Sequence, residues 1–194
     1  RKGGHYFGDG SGGEYTSDVR LRRAGWAVVK LKHDRGPWEL GAAIYGNVPG
    51  SRQTTPRAEL TAAIFCTTQL AEYNVEEPCT LWTDCDYVLK YLLRGKTSMP
   101  LSKNSDLWGE FWEAFANPRC TFEIRRVFKS HVETWHIGLG FTNWFEVAGN
   151  TFADAFAGKA AKLSRVSHYW AKQVCQIDKR AWHIQVRLLA TTEE

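Results

Sequence analysis

Three strand-like segments stand at the start of the chain, before any helical pattern, and this order restricts the fold more than any other feature. Residues 5–8, 24–31 and 38–45 are apolar or rich in strand-forming residues. A Gly- and Ser-rich turn at 9–13 and a hairpin-like connection at 33–37 separate them. The sequence therefore predicts three consecutive antiparallel strands.

Helical and strand-like segments follow in mixed order. Thr55 and Pro56 supply an N-cap and a first-turn proline for a helix over 57–72, which contains no helix breaker. Further helices are predicted over 87–93, 106–115 and 151–163, and further strands over 80–83 and 121–128. The order β-β-β-α-β-α-α-β-α is typical of an α/β domain with a mixed five-stranded sheet and flanking helices.

The residues after 163 have a different pattern. Apolar residues recur there at alternating steps of four and three, which predicts one long helix with an apolar stripe: Val166, Trp170, Val174, Ile177, Ala181, Ile184 and Leu188. Between 162 and 190, six Lys or Arg accompany one acid, Asp178. We interpret this helix as docked on its own domain or on a neighbouring one; the alternative is a basic face that lies along nucleic acid. The predicted domains are 4–163 and a C-terminal helical extension at 164–194.

Composition excludes several classes of protein. Hydrophobic residues make up 43% of the chain, enough for a packed core, and no run approaches the roughly 18 apolar residues of a membrane span, so we expect no membrane partner. Five cysteines without C-x-x-C spacing indicate neither a disulfide framework nor a zinc site, and favour an intracellular compartment, cytoplasmic or nuclear. The net charge of +4 permits a nucleic-acid partner.

Four acids occupy positions where carboxylates can converge. Asp9 and Asp84 each follow a short apolar strand, Glu59 lies early in the first helix, and Asp154 follows Asn150 by four residues. Taken singly, each has an ordinary explanation as a turn former, a helix-dipole partner or a surface acid. The short sequence strings around the four acids distinguish them from ordinary turn or surface acids.

The strings around these acids, taken in order, resemble ribonuclease H of type 1, the domain found in cellular enzymes and in retroelement reverse transcriptases. The matching strings are Asp9-Gly10-Ser11, Arg57-Ala58-Glu59-Leu60, Thr83-Asp84-Cys85-Asp86, Lys103-Asn104-Ser105-Asp106-Leu107-Trp108 and Gly149-Asn150-Thr151-Phe152-Ala153-Asp154. The resemblance extends over most of the chain and implies the ribonuclease H-like fold.

The resemblance also implies catalysis by two Mg²⁺ ions, for which Mn²⁺ would substitute. Two such ions about 4 Å apart neutralise a phosphodiester, activate the attacking water and stabilise the leaving oxygen. Magnesium takes hard oxygen ligands, so carboxylates suffice to hold it. By resemblance, Asp9 bridges both ions, Asp84 and Glu59 complete the leaving-group site, and Asp154 holds the ion that activates the water.

Substrate contacts are carried over by the same resemblance. Arg52 and Thr54, before the first helix, together with Asn104, are expected to grip a phosphate of the DNA strand. The first-strand motif adds Gly10 and Ser11 to the predicted substrate contacts.

The resemblance also predicts a catalytic histidine in the loop before the last helix. His131 directly follows the predicted strand 121–128 and is expected to assist proton transfer or product release. The insertion at 132–148, which contains His136, is rich in glycines and aromatic residues and is interpreted as a loop that packs on the domain or moves as a lid.

The function implied is endonucleolytic hydrolysis of the RNA strand of an RNA/DNA hybrid, leaving 3′-hydroxyl and 5′-phosphate ends. A retroelement polyprotein with an adjacent reverse transcriptase domain is the expected context. Two alternatives stay open at this point: a nuclease of the same fold that acts on another nucleic acid, as resolvases and exonucleases do, and a catalytically silent domain that only binds duplex. Retention of all four carboxylates argues against the silent domain.

Overall fold

A computed structural model describes residues 3–32, 36–97, 102–117, 119–128 and 134–192. Within these ranges the chain forms five strands and six helices: β1 Gly4–Ser11, β2 Gly25–Lys32, β3 Glu39–Asn47, α1 Thr55–Glu72, β4 Cys79–Thr83, α2 Asp86–Arg94, α3 Ser105–Phe115, β5 Phe122–Arg126, α4 Thr134–Gly138, α5 Trp144–Leu163 and α6 His168–Thr192. All nine elements of the predicted order are present; α4 and α6 are added to them.

The five strands form one mixed sheet in the order β3-β2-β1-β4-β5. The first three strands pair antiparallel, as predicted, whereas β4 pairs parallel with β1 and β5 parallel with β4. Phe7 of β1 lies opposite Trp82 of β4. Because parallel strands end at the same edge of a sheet, this register places Asp9 and Asp84 side by side. The prediction of an α/β domain with a mixed five-stranded sheet is confirmed.

Helices cover both faces of the sheet. On one face, α1, α2 and α3 enclose a core whose largest fully buried side chains are Leu60, Leu81, Trp108 and Phe111. On the other face, α5 covers a second core that includes Phe7, Val29, Val127 and Ala153. Parallel strands that are covered on both faces contain few charged side chains, which explains why β4, directly before Asp84, contains none.

Small residues let α5 lie unusually close to the sheet. A Cβ added to Gly25 of β2 would lie 2.3 Å from the backbone nitrogen of Ala161, and one added to Gly149 would lie 2.3 Å from the Phe7 ring. The residues of α5 that face the sheet are Gly or Ala at 149, 153, 157, 160 and 161, and all are buried. This close approach positions Asp154, which is next to the fully buried Ala153.

Two of the differences from the predicted element boundaries have a clear cause in helix capping. The N-cap of α1 is Thr54, whose hydroxyl accepts a hydrogen bond from the Arg57 amide, so the predicted cap at Thr55 is wrong by one residue. The last core helix begins at Trp144 and not at 151, because Asn143 caps it by accepting from the Glu146 amide at 3.0 Å. The segment 132–148 is therefore not a loop where it is described: it contains α4 and the first turn of α5.

The C-terminal extension forms the predicted helix, but most of its apolar stripe is exposed. Ala171 is the buried residue of α6 and the stripe residues Val166 and Val174 are half-buried, whereas Trp170, Ile177, Ile184 and Leu188 are about 60% exposed. From Ile177 onward, the described part of the domain thus leaves the stripe uncovered. The boundary between the two predicted domains stays a prediction. Among the described residues, none of the helices combines the length and apolar character needed to cross a bilayer.

The packing of α5 predicts opposite effects for two glycines of the same helix. We expect Gly149→Ala to lower the free energy of unfolding by roughly 1–3 kcal/mol, because the added methyl group overlaps the fully buried Phe7 ring. Gly158→Ala, where an added Cβ meets no atom within 4 Å, should raise it by about 0.5–1 kcal/mol through helix propensity. Urea unfolding of both variants measures this. Equal effects of the two substitutions would contradict the close approach of α5.

Candidate active site

Three of the four predicted carboxylates meet at the C-terminal edge of β1 and β4. The ligand oxygens of Asp9, Glu59 and Asp84 all lie within 4.8 Å of one another. Asp9 belongs to β1, Asp84 directly follows β4, and Glu59 lies in the second turn of α1. Asp9 and Glu59 are buried and Asp84 is half-buried. The cluster is therefore open to solvent on the side of Asp84.

A glycine next to Asp9 permits this arrangement. A Cβ on Gly10 would lie 2.6 Å from the Glu59 backbone nitrogen and 2.8 Å from the Ala58 side chain. The absence of a side chain therefore lets β1 contact the beginning of α1. The Gly10 amide also donates a hydrogen bond to Asp9 Oδ1 at 2.8 Å. Gly10, predicted as a substrate contact, is thus a buried structural element of the carboxylate cluster.

Burial and mutual repulsion make the ionised cluster unfavourable. Burial, with the neighbouring charge of Asp84, raises the pKa of Asp9 to about 7. Burial and then the charge of Asp9 raise the pKa of Glu59 well above its ordinary value. The two side chains are hydrogen-bonded to each other, and this bond favours the ionised form of Asp9 and the protonated form of Glu59. In the absence of a cation the pair therefore retains a proton.

The cluster has the properties of a divalent-cation site. Its donors are hard carboxylate oxygens, which Mg²⁺ and Mn²⁺ prefer. Glu59 Oε2 is buried without a hydrogen-bond partner in the described residues, although buried carboxylate oxygens are normally satisfied. A cation placed among these oxygens would satisfy that atom and remove the repulsion between the carboxylates. The residues present thus fit such an ion.

The fourth predicted carboxylate lies outside this cluster. Asp154 is on the exposed side of α5 and does not belong to the group of mutually close oxygens. Its negative charge nevertheless contributes to the raised pKa of Asp9. The structure therefore brings three acids together and places the fourth in electrostatic range of them.

A groove of about 1150 Å³ runs past the N-terminus of α1 and contains all three residues predicted to hold a phosphate, Arg52, Thr54 and Asn104. The described residues that line it include no Asp or Glu. Two of its cations, Arg52 and Lys103, make no ion pair among the described residues. The groove is therefore an uncompensated positive surface, which suits an anion.

Hydrogen bonds hold the floor of this groove in place. Asn104 is buried; its Oδ1 accepts from Arg57 Nη1 at 3.4 Å and its Nδ2 donates to the Tyr87 hydroxyl at 3.0 Å. The same hydroxyl accepts from Trp108 Nε1 at 2.9 Å. Arg52 Nη1 donates to the Lys103 carbonyl at 3.2 Å, which ties the loop before α1 to the loop before α3.

A forked ion pair fixes α1 against α3. Arg57 is buried, and its Nη1 and Nη2 donate to the two carboxylate oxygens of Asp106 at 2.9 and 2.8 Å. This guanidinium holds the pKa of Asp106 at about 2. Such bidentate pairs set the relative orientation of two elements. The pair therefore orients Asn104, which accepts from the same Arg57 Nη1 and precedes Asp106 by two residues.

The structure gives less information about the roles of the remaining predicted site residues. Ser11 is half-buried at the end of β1, where its Oγ accepts from the Gly13 amide at 3.4 Å. His131 lies outside the described residues. His136 is buried, with its ring stacked on Trp135 at a centroid distance of 3.7 Å and edge-on to Phe128 at 5.8 Å.

Sequence reasoning missed two residues of the groove. Tyr87, whose hydroxyl holds Asn104, follows the fourth-strand motif, and nothing in its local sequence marks it. Arg22 lies in the connection between β1 and β2 and also lines the groove. The three arginines at 20, 22 and 23 were the available signal for this cationic loop.

The raised pKa of Asp9 predicts that the carboxylate cluster lowers the stability of the folded chain by an amount that depends on pH. The unfolded chain releases the Asp9 proton near pH 4, whereas the folded chain holds it up to about pH 7. Between these values the folded state binds more protons, so stability falls as the pH rises through this window. In chelator at pH 7, we expect Asp9→Asn to melt several degrees above the parent chain, with the difference absent near pH 4.

Thermal melts with chelator or with Mg²⁺ test this expectation, with Asp86→Asn as the control at an exposed carboxylate of α2. Mg²⁺ should raise the melting temperature of the parent more than that of Asp9→Asn, since only the parent has the complete cluster. A variant that melts below the parent in chelator at pH 7 would contradict the repulsion described for the cluster.

Comparisons with known proteins give matches in structure but none in sequence. No protein-family model matches the chain, and no curated protein matches it. The RNase H domain of prototype foamy virus (PFV) superposes with a TM-score of 0.59 and 19% identity, over 82% of this chain and 94% of that one. LC9-RNase H1, a type 1 RNase H with the type 2 active-site motif, has a TM-score of 0.59 and 15% identity, over 84% and 74%.

A longer protein matches over one part of its length. The foamy viral protease-reverse transcriptase, solved in complex with RNA/DNA hybrid, has a TM-score of 0.56 and 17% identity, over 81% of this chain and 20% of that one. At such identities a structural likeness shows the fold. In its fold, this chain is a ribonuclease H-type domain.

Proposed function

We propose that this chain binds RNA/DNA hybrids and hydrolyses the RNA strand endonucleolytically, with divalent metal ions held by its carboxylate cluster. The observation that carries the proposal is the convergence of Asp9, Glu59 and Asp84 within 4.8 Å at the sheet edge. A structural role gives no reason to bury two carboxylates against each other, since the arrangement is unfavourable without a cation. Catalysis by metal ions does give such a reason.

The choice of substrate has separate support. The groove beside the cluster is cationic and contains no acid among its described residues, as a polyanion requires. The foamy viral protease-reverse transcriptase, which shares the fold, is a protein solved with RNA/DNA hybrid. A foamy viral protease-reverse transcriptase was also solved in complex with dsDNA. Cleavage assays must therefore include a DNA duplex, which distinguishes the hybrid from another nucleic-acid substrate.

In the proposed mechanism, Asp9, Glu59 and Asp84 would hold the metal ions, and Asp154 would complete the ligand set from α5. Bound Mg²⁺ or Mn²⁺ would supply the positive charge that neutralises the phosphodiester and lowers the pKa of the attacking water. Asp9 is in hydrogen-bond contact with Glu59 and close to Asp84, so all three carboxylates would be available to the same bound metal.

Besides supplying metal ligands, the protein would position the nucleic-acid duplex. Arg52 and the α1 N-terminus would bind one DNA-strand phosphate, with Asn104 presented by Arg57 and Tyr87. Thr54 caps α1 and Glu59 follows five residues later, about 7.5 Å along the helix axis. Since one helix carries both sites, a duplex bound in the groove has a fixed position relative to the carboxylates.

The cellular setting that we propose is a retroelement polyprotein with an adjacent reverse transcriptase domain. The foamy viral chain that shares the fold combines protease and reverse transcriptase, and this domain matches one fifth of it. All five cysteines are free thiols, three of them buried, which suits a reducing intracellular compartment. His131 is retained in the proposal as the residue that assists proton transfer.

Cleavage assays test the proposed function directly. Labelled RNA in an RNA/DNA hybrid, an RNA duplex and single-stranded form is incubated with Mg²⁺ or chelator, beside a DNA duplex. We expect Mg²⁺-dependent cutting of hybrid RNA alone, and at least a hundredfold loss in Asp84→Asn, because the amide removes a charged metal ligand. Asp86→Asn is the matched control two residues away. Hybrid cleavage by Asp84→Asn near the parent rate would exclude the assignment.

Salt dependence tests the phosphate groove. We expect Arg52→Ala to weaken binding to the hybrid and to reduce the slope of log K against log salt by about 0.9, since one phosphate contact fewer releases fewer counterions. The measurement is a salt titration in chelator, where the substrate stays intact. Arg119→Ala, at an exposed position before β5 and away from the groove, is the control. An unchanged slope in Arg52→Ala would show that Arg52 does not contact a phosphate.

A further inference from the structure

The groove has a second wall, formed by the β1–β2 loop, residues 12–24. Thr16, Val19 and Arg22 of this loop line the same groove as Arg52 and Asn104. Nothing in the resemblance assigned a role to this wall. It stands beside the predicted phosphate pocket and would face a duplex bound there.

Arg22 is a cation without a counter-charge. It makes no ion pair among the described residues, its Nη2 donates to the Thr16 carbonyl, and its buried Nε has no hydrogen-bond partner. By contrast, the neighbouring Arg20 is fully engaged with two carboxylates. Of these two loop arginines, Arg22 therefore brings net positive charge to the groove.

Arg20 joins this loop to α6. Its Nε and Nη2 donate to the two carboxylate oxygens of Asp18 at 3.0 and 2.7 Å, and its Nη1 and Nη2 donate to those of Asp178 at 3.0 and 2.5 Å. Inside the loop, the amides of Leu21 and Arg22 donate to the Asp18 carbonyl. One guanidinium thus connects the turn that carries Arg22 to the C-terminal helix.

The bond to Asp178 is the polar attachment of α6. Within the described residues, the other hydrogen bonds of α6 stay inside the helix or reach Ser167, and Ala171 is its buried residue. Asp178 is also the one acid of α6. The Asp178–Arg20 pair and the buried Ala171 are therefore the contacts that attach the helix to the domain.

We propose that Arg22 is a second contact for nucleic-acid backbone phosphate, on the wall formed by the β1–β2 loop, and that α6 positions it through the Asp178–Arg20 bridge. This inference rests on the proposed function, in that the anion bound in the groove is taken to be a hybrid. It assigns α6 a role in substrate binding that acts through the loop, without contact between the helix and the nucleic acid. Arg22 is a binding residue, and Asp178 and Arg20 are positioning residues.

The sign of one mutational effect separates this arrangement from general electrostatics. Asp178→Asn removes a negative charge, so through-space attraction alone would make a polyanion bind more tightly. If Asp178 positions the loop, the same substitution weakens binding. We expect hybrid affinity in chelator to fall about two- to fivefold in Asp178→Asn, the range for an exposed ion pair, and to recover in Asp178→Glu.

Arg22→Ala tests the contact itself. We expect weaker hybrid binding and a salt slope reduced by about 0.9, as for any phosphate contact. Lys179→Ala, which removes the neighbouring cation of α6, is the matched control and should bind hybrid as the parent does. A loss in Lys179→Ala equal to that in Arg22→Ala would show that the helix itself contacts the nucleic acid and would overturn the positioning role.

Hydrogen exchange of residues 12–24 in the full-length chain provides a measurement that needs no nucleic acid. Asp178→Asn should exchange faster in this loop than the parent, and Asp178→Glu at the parent rate. Unchanged exchange in Asp178→Asn, or hybrid binding as tight as the parent's, would overturn the proposal. If the parent binds no hybrid, the proposed function fails and the role of Arg22 fails with it, while loop exchange still decides whether α6 positions the loop.

Discussion

The buried contact between β1 and α1 is the interaction on which the site depends. The backbone of Gly10 meets the backbone of Glu59, and any side chain at position 10 would separate strand from helix. This contact brings the carboxylates of Asp9 and Glu59 into a hydrogen bond away from solvent. Their charges are costly there, so the surrounding apolar layers must offset the cost until a cation does.

The features that could be predicted from the sequence are those encoded by residues close together in the chain, namely hydrophobic periodicity and short motifs. The order of strands and helices follows from periodicity, and the parallel pairing of β1 with β4 follows once α1 connects β3 to β4. Asp9 and Asp84 were identified because each follows an apolar strand in a recognisable motif. Glu59 was identified by the Arg-Ala-Glu string, although helical pattern alone makes it a surface residue. The structure instead places its side chain 6% exposed beneath Gly10.

Features that depend on tertiary contacts could not be predicted in this way. The last core helix was predicted over 151–163, whereas in the structure Gly149 lies inside α5, where its lack of a side chain lets the helix pack against Phe7. The apolar stripe of α6 suggested docking, whereas its attachment uses Asp178 and Arg20, which are 158 residues apart in sequence. Tyr87 acquires its role from Asn104 and Trp108, and no local signal marks such a hydrogen-bond centre.

The architecture connects binding and chemistry through α1. Its N-terminus forms one side of the cationic groove, its second turn carries Glu59, and Arg57 between them is locked to Asp106 of α3. A rigid helix of this kind keeps the distance from the groove to the carboxylates constant. The spacing between a DNA-strand phosphate and the nearest RNA-strand phosphate depends on the width of the minor groove, which differs between A-like and B-like duplexes. On the proposed function, selection of the hybrid is therefore a consequence of the length and rigidity of the first turns of α1, with no base-specific contact required.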